Sequence, residues 1–332
     1  MVYFASFFPR IIAFEVLELM EFPLTSPFTL LMQLLLALAL DQWLGEPRRW
    51  HPLVGFGRLA QWLETKLNSG NDQQRFWRGL VAWSLAVLPL TWLTLQMSAV
   101  FGMLFQIVLL YLTIGRKSLF EHSRRVWQAL QEQDLPAARH HTGMIVSRET
   151  SQLDATGCTR ATVESVLENA NDGIVGALFW FALLGAPGAV LYRLANTLDA
   201  MWGYRNERFN WFGCAAARLD DVLNFLPARL CALAYAAAGQ FQVAMHAWKT
   251  QAHLLKSPNG GPVMCAGAGA LDLQLGGPAV YHGTPLDKPF FGGEYVPQAQ
   301  DILRANQLVD RALAILLPGF ALTGFLLAGF FL

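Results

Sequence analysis

LVAWSLAVLPLTWLTLQMSAVFGMLFQIVLLYLTIG, residues Leu80 to Gly115, runs for 36 positions without a charged side chain. A membrane core about 30 Å thick takes roughly 20 apolar residues as helix, so this stretch is too long for one crossing. Two helices with a turn near Met97-Ser98 or at Gly102 account for it. Arg75 and Arg78 precede the stretch, and Arg116, Lys117, Arg124 and Arg125 follow it. Basic residues at both ends place both ends in the cytoplasm, as a hairpin requires. The class that follows is an all-α, polytopic integral membrane protein.

Further apolar segments lie on either side. Residues 312–332 form a second charge-free stretch of about one membrane thickness. Residues 28–40 suit a short or tilted span, or an interfacial helix. Residues 173–195 are apolar enough to span, but GAPGA at 185–189 interrupts them, and Pro and Gly break helices. A broken or re-entrant helix there would leave Asp172 and Asp199 on one side. Residues 223–247 read as a span or a buried helix. Residues 116–172, with the amphipathic run from Ser118 to Thr162, read as a cytoplasmic helical arm. No run alternates as a strand would, and Met1 to Arg10 lack the features of a signal peptide. The whole chain, 1–332, reads as one membrane-embedded domain with polar loops facing the cytoplasm.

Composition agrees. The chain is 54% hydrophobic and 14% charged, with a mean hydropathy of +0.33, against about 25% charged for an ordinary soluble protein. Net charge is zero, from 24 basic and 24 acidic residues, which gives no basic face for nucleic acid. Cys158, Cys214, Cys231 and Cys265 are widely spaced, and they suit hydrophobic packing better than a disulfide framework or a zinc site.

Acids and amides gather between Glu164 and Arg229, in segments otherwise rich in Ala, Leu and Phe. Carboxylates beside apolar surface need a cation, a hydrogen bond or a metal. Glu164, Glu168 and Asp172 are spaced i, i+4, i+8 and share a helix face. Either Mg²⁺ or an ion-pair network with Arg148 or Arg160 would neutralise them. Asn196 and Asp199 form a second group, and Asp220, Asp221 and Asn224 a third. Tyr204, Arg205, Arg208, Arg218 and Arg229 add an aromatic ring and cations suited to phosphate or carboxylate. Ser257-Pro258-Asn259-Gly260-Gly261 is turn chemistry, and 257–283 reads as a Gly-rich loop whose N–H groups could cradle an anion. His51, beside Pro52, reads as a structural hydrogen-bonder or a ligand contact.

Six ordered blocks together resemble the CobD/CbiB family, the adenosylcobinamide-phosphate synthases of cobalamin biosynthesis. They are DQWLGEP (41–47) with HP (51–52), ESVLENAND (164–172), NTLDAMWGY (196–204), ARLDDVLNFLPAR (217–229), SPNGG (257–261) and LGGPAVYHG (275–283). The resemblance implies a multi-pass inner-membrane enzyme. Its reaction joins aminopropanol phosphate, or ethanolamine phosphate, to the propionate of adenosylcobyric acid, with ATP as co-substrate and Mg²⁺ as cofactor. On this reading Glu168, Asp172 and Asp221 are catalytic, and Glu164, Glu168, Asp172, Asp199, Asp220 and Asp221 surround the metal. Asn169, Asn196, Tyr204, Arg205, Arg208, Arg218, Arg229, Ser257, Asn259 and His51 bind substrate or phosphate. Candidate partners are the lipid bilayer, other late membrane enzymes of the pathway and a second copy of the chain.

The chain departs from the family at Ser147-Arg148-Glu149, where Gly-Arg-Asp is usual. It departs again at Gly260-Gly261-Pro262-Val263-Met264, where Ala-Gly-Trp-Pro-Glu is usual, and Ala200 and Trp202 replace commoner residues. Competing readings are a non-catalytic membrane signalling protein of the AmpE type, a transporter, and a membrane phosphotransferase acting on lipid.

Overall fold

A computed structural model describes residues 26–47, 51–281 and 284–331. The reading of Met1 to Arg10 lies outside them, as do Trp50, His282 and Gly283. The chain is helical: α1 (Pro27–Leu44), α2 (Pro52–Leu67), α3 (Asp72–Thr113), α4 (Arg116–Gln131), α5 (Leu135–Gly143), α6 (Ala155–Ala170), a π turn (Asn171–Val175), α7 (Gly176–Trp202), α8 (Cys214–Ala238), α9 (Phe241–Gln251), α10 (Gly260–Leu271) and α11 (Gln300–Phe331). Four helical stretches are long and apolar enough to cross a membrane: Pro27–Leu44, Asp72–Gln131, Ala155–Trp202 and Gln300–Leu326. This is an all-α polytopic membrane protein.

Two of the long helices are folded back on themselves. Gly102 in α3 has φ 68° and ψ −154°, and Gly185 in α7 has φ 64° and ψ −158°. Only glycine adopts this region readily. In α7, Gly176 lies against Tyr192, Gly188 against the Trp180 carbonyl and Gly173 beside Arg193. Each pair is centred on residues 183–184, so the two arms run antiparallel and meet at Gly185. The GAPGA interruption is thus the tip of a re-entrant hairpin.

The ends of α3 also return to one region. The Arg75 guanidinium donates to the Glu207 carbonyl (2.9 Å), and the Gly115 N–H donates to the Gly173 carbonyl (3.2 Å). A straight 42-residue helix would be about 63 Å long. The turn at Gly102 removes that length.

The larger core is formed by α6, α7, α8, α10 and α11, with Leu167, Ile174, Phe181 and Tyr235 fully buried. A smaller core joins α2, the first arm of α3 and the return arm of α7 through Trp83, Leu198, Trp202 and Phe212. The stretch 116–172 divides. Helices α4 and α5 carry polar outer faces, whereas ten of the 16 residues of α6 are buried. Residues 223–247 fall on two helices, α8 and α9, parted at Gly239.

The Gly-rich stretch 257–283 is not the loop its composition suggests. Gly260–Leu271 forms a helix, every residue of which is buried. Its small residues let neighbouring backbones approach: Gly261 meets the Ala252 carbonyl and Gly269 the backbone at Ala244. Intrinsic propensity disfavours that helix, and close tertiary packing overrides it. Four three-residue strands follow, β1 (Gln274–Gly276) pairing antiparallel with β4 (Phe290–Gly292), and β2 (Ala279–Tyr281) with β3 (Thr284–Leu286).

Candidate functional site

Glu164, Glu168 and Asp172 lie on α6 and the π turn that continues it. A π turn is uncommon and frequently marks a functional site. Glu164 is saturated. Its Oε2 accepts from Arg148 (2.5 Å) and from Lys288 (2.7 Å), and its Oε1 accepts from the Gly276 N–H (2.8 Å). The salt bridge with Arg148 is one of the partners the sequence offered for these acids.

Glu168 differs. It forms no hydrogen bond or ion pair among the described residues, and its Oε1 sits against Gly260 at the start of α10. Asp172 Oδ1 accepts amide protons from Asn171 (2.9 Å) and Asn224 (2.7 Å), with Asn171 also donating to Asn224 Oδ1 (2.9 Å). The hairpin at Gly185 and helix α8 then bring Asp199, Asp220 and Asp221 within electrostatic reach of one another and of Asp172. Burial and the nearby carboxylates of Asp172 and Asp199 push Asp220 up to about 8, so it holds its proton near neutral pH. Burial also raises Asp221 above the usual carboxylate range. Asn196 approaches Asp220 Oδ1 at 3.4 Å, a weak contact.

A cleft of about 900 Å³ opens beside Glu164 and Glu168, with Arg148, Arg205, Lys256 and Lys288 also among its lining residues, whereas Asp172, Asp199, Asp220 and Asp221 do not line it. Asn169 and Ser257 reach the same cleft. The turn 257–259 is pinned to α8: Asn259 donates to the Asp221 carbonyl (2.9 Å), and Arg229 donates to Asn259 Oδ1 (2.6 Å) and to the Pro258 carbonyl (3.1 Å). Arg229 and Asn259 therefore position the turn.

Other expected site residues lie apart. Arg208 forms a two-pronged pair with Glu64 on α2 (2.7 and 3.0 Å), so Arg205 reaches the cleft without it. His51 caps α2, its Nδ1 accepting from the Leu53 N–H (3.2 Å). Arg218 and Tyr204 are exposed.

Sequence reasoning did not single out Lys256, Lys288 or Arg193. Lys288 meets Glu164 from 124 positions away, a separation no local pattern reveals. Arg193, on the return arm of α7, lies beside Gly173 and faces Asp172 and Glu46, with its Nε buried and without a hydrogen-bond partner.

No group of three or more His, Cys, Asp or Glu among the described residues is arranged to hold a metal ion. Mg²⁺ needs no such cage, because it takes one or two carboxylates together with substrate phosphates and water. Glu168, an acid that forms no ion pair among the described residues and lies on the wall of a cleft lined by cations, fits that requirement.

The CobD/Cbib protein family model matches residues 34–309. The cobalamin biosynthesis protein CobD of Stutzerimonas stutzeri is 54% identical over 296 residues, which are 88% of this chain and 97% of that protein. The protein of the same name from Chromobacterium violaceum is 51% identical over 295 residues, covering 84% and 91%. That of Rhizobium meliloti is 34% identical over 314 residues, covering 88% and 96%. No solved structure matches the chain.

Proposed function

Because the chain belongs to the CobD/CbiB family of cobalamin biosynthesis proteins, we propose that it is an inner-membrane acid–amine ligase. Its substrates are adenosylcobyric acid, ATP and (R)-1-amino-2-propanol phosphate or ethanolamine phosphate. Its product is adenosylcobinamide phosphate. A carboxylate is a poor acyl donor. In the first step a propionate oxygen attacks the terminal phosphorus of ATP, the bond to ADP breaks, and an acyl phosphate forms. The amine nitrogen then attacks the acyl carbon, inorganic phosphate leaves, and the amine gives up a proton.

The observation that carries this reading is the junction of two environments. A cleft lined by Arg148, Arg205, Lys256 and Lys288 meets a carboxylate, Glu168, that forms no hydrogen bond or ion pair among the described residues. The cations suit phosphoryl groups, on which preorganised charge supplies most of the catalysis. On this reading Glu168 accepts the amine proton or, with Asp172 and Asp221, would hold Mg²⁺. When bound, Mg²⁺ would neutralise charge on the phosphates. Glu164 holds Arg148 and Lys288 in place.

The test is product formation. Purified protein given ATP, Mg²⁺, adenosylcobyric acid and aminopropanol phosphate should release one ADP per amide formed, followed by mass spectrometry. No product with either amino-alcohol phosphate, from protein shown to be folded, would reject the ligase.

A further inference from the structure

Resting on that reading, we infer that the 900 Å³ cleft is a phosphate-binding site in which Lys288 and Lys256 are the principal ligands. The chemistry it selects is a phosphate ester or anhydride. Its volume lies within the range of roughly 300–1,000 Å³ usual for small-molecule clefts.

The Lys288 side chain is only 14% exposed, and that of Arg148 10%. Both converge on one oxygen of Glu164, which is itself 3% exposed. A lysine ammonium carries three donors. One of those on Lys288 goes to Glu164, which fixes the side chain at the cleft wall and leaves two for a ligand. Lys256 is exposed and enters the same cleft from the turn before α10. Ser257 Oγ accepts from the Gly260 N–H (2.9 Å), leaving its own proton to donate. Arg205 reaches the cleft from the loop after α7. Two lysines, two arginines and a hydroxyl form a set matched to phosphate oxygens.

The cleft is also tied shut along one side. The Glu149 N–H donates to the Val280 carbonyl (2.8 Å), linking the Arg148 segment to the strand pair that leads to Lys288. Both walls are thereby held in register before a ligand arrives, which reduces the ordering needed on binding.

Two sources of phosphate are available, the nucleotide and the amino-alcohol phosphate. Lys288→Gln and Lys256→Gln in detergent-purified protein separate them by calorimetric titration with ATP, adenosine and aminopropanol phosphate. We expect at least a tenfold loss of affinity for ATP in each variant, with adenosine unchanged. A tenfold loss confined to aminopropanol phosphate would still support a phosphate site, with the amino alcohol as its occupant. Lys256 is exposed and makes no structural pair, so its variant tests the site even if Lys288→Gln fails to fold. Affinity for both phosphates within twofold of the parent in Lys256→Gln would overturn the assignment. If product still forms at that point, the ligase reading stands without this site.

Discussion

Gly176 lies directly against the phenol ring of Tyr192, 16 residues later in the same hairpin, with no room for a methyl group between them. That contact closes the arms of α7 and so holds Asp172, just before the hairpin, on the same side as Asp199 near its end. Gly176→Ala should therefore lower stability by about 1–3 kcal/mol, as overpacking a tight interior does. The Tyr192 hydroxyl is buried without a partner, so Tyr192→Phe should be neutral or stabilising. Thermal unfolding in detergent distinguishes the two. Equal tolerance of both changes would mean that the arms are not closed here.

The two acids at the cleft should respond in opposite ways. Glu164→Gln leaves Arg148 and Lys288 without their shared carboxylate, a loss of about 3–5 kcal/mol for a broken buried pair. Glu168→Gln removes an acid that forms no hydrogen bond or ion pair among the described residues, so its melting temperature should hold while turnover falls by about a hundredfold or more. Turnover per folded molecule measured beside melting temperature decides between these roles. A Glu168→Gln protein that keeps parental turnover would exclude Glu168 from the chemistry.

Arg205 and Arg208 are three residues apart and should separate cleanly. Arg205→Lys should weaken binding of the phosphorylated substrate about tenfold, the worth of one charge-assisted hydrogen bond. Arg208→Lys should leave that affinity within twofold, because Arg208 is committed to Glu64. Substrate titrations of the two variants give the comparison.

The hydrogen bond from Arg208 holds Glu64 below the usual carboxylate range. A depressed carboxylate stabilises the fold above its unfolded value near 4.5 and loses that contribution as pH falls through its folded value. Residues 203–212, which this pair ties to α2, should thus become open to proteolysis below about pH 4.5. In Glu64→Gln they should be open at neutral pH as well. Limited proteolysis across pH 3–8 would show a flat parental profile if the pair does not hold the loop.

Ser69, Gln131 and Asn206 are exposed, and Asn68, beside Ser69, donates to the Arg208 carbonyl near Asn206 (2.9 Å). Single cysteines there, in a background with the half-buried Cys214 replaced, should resist an impermeant maleimide in intact cells and react after permeabilisation. Labelling of any one in intact cells would place that loop outside.

The parts legible in the sequence were those written in local chemistry. The charge-free stretch from Leu80 to Gly115 gave the hairpin, because only glycine offers a sharp reversal and Gly102 was available. GAPGA at 185–189 gave the re-entrant turn for the same reason. The acid blocks were visible because carboxylates stand out in apolar helices. What remained hidden depended on contacts between distant residues. Nothing near Glu164 announces Lys288, and nothing near Glu64 commits Arg208 to it. The Gly260–Leu271 helix was hidden too, since a helix without propensity exists only where its neighbours pack around it.

The hairpin of α7 has a consequence for how the protein is made. Two-thirds of the most apolar window in Ala155–Trp202 is buried against other parts of the chain. Among its neighbours, α2 and α3 come earlier in the sequence, whereas α8 and α11 come later. When residues 173–202 leave the ribosome, α2 and α3 are already made, but α8 and α11, which cover the rest of the hairpin, are not. The broken tip at Gly185 cannot face lipid with its backbone unsatisfied. Full burial of this hairpin therefore waits for the C-terminal helix, which packs on its first arm through Phe320 and Gly324, and a chain cut before Gln300 should be cleared by quality-control proteases rather than accumulate as a partial enzyme.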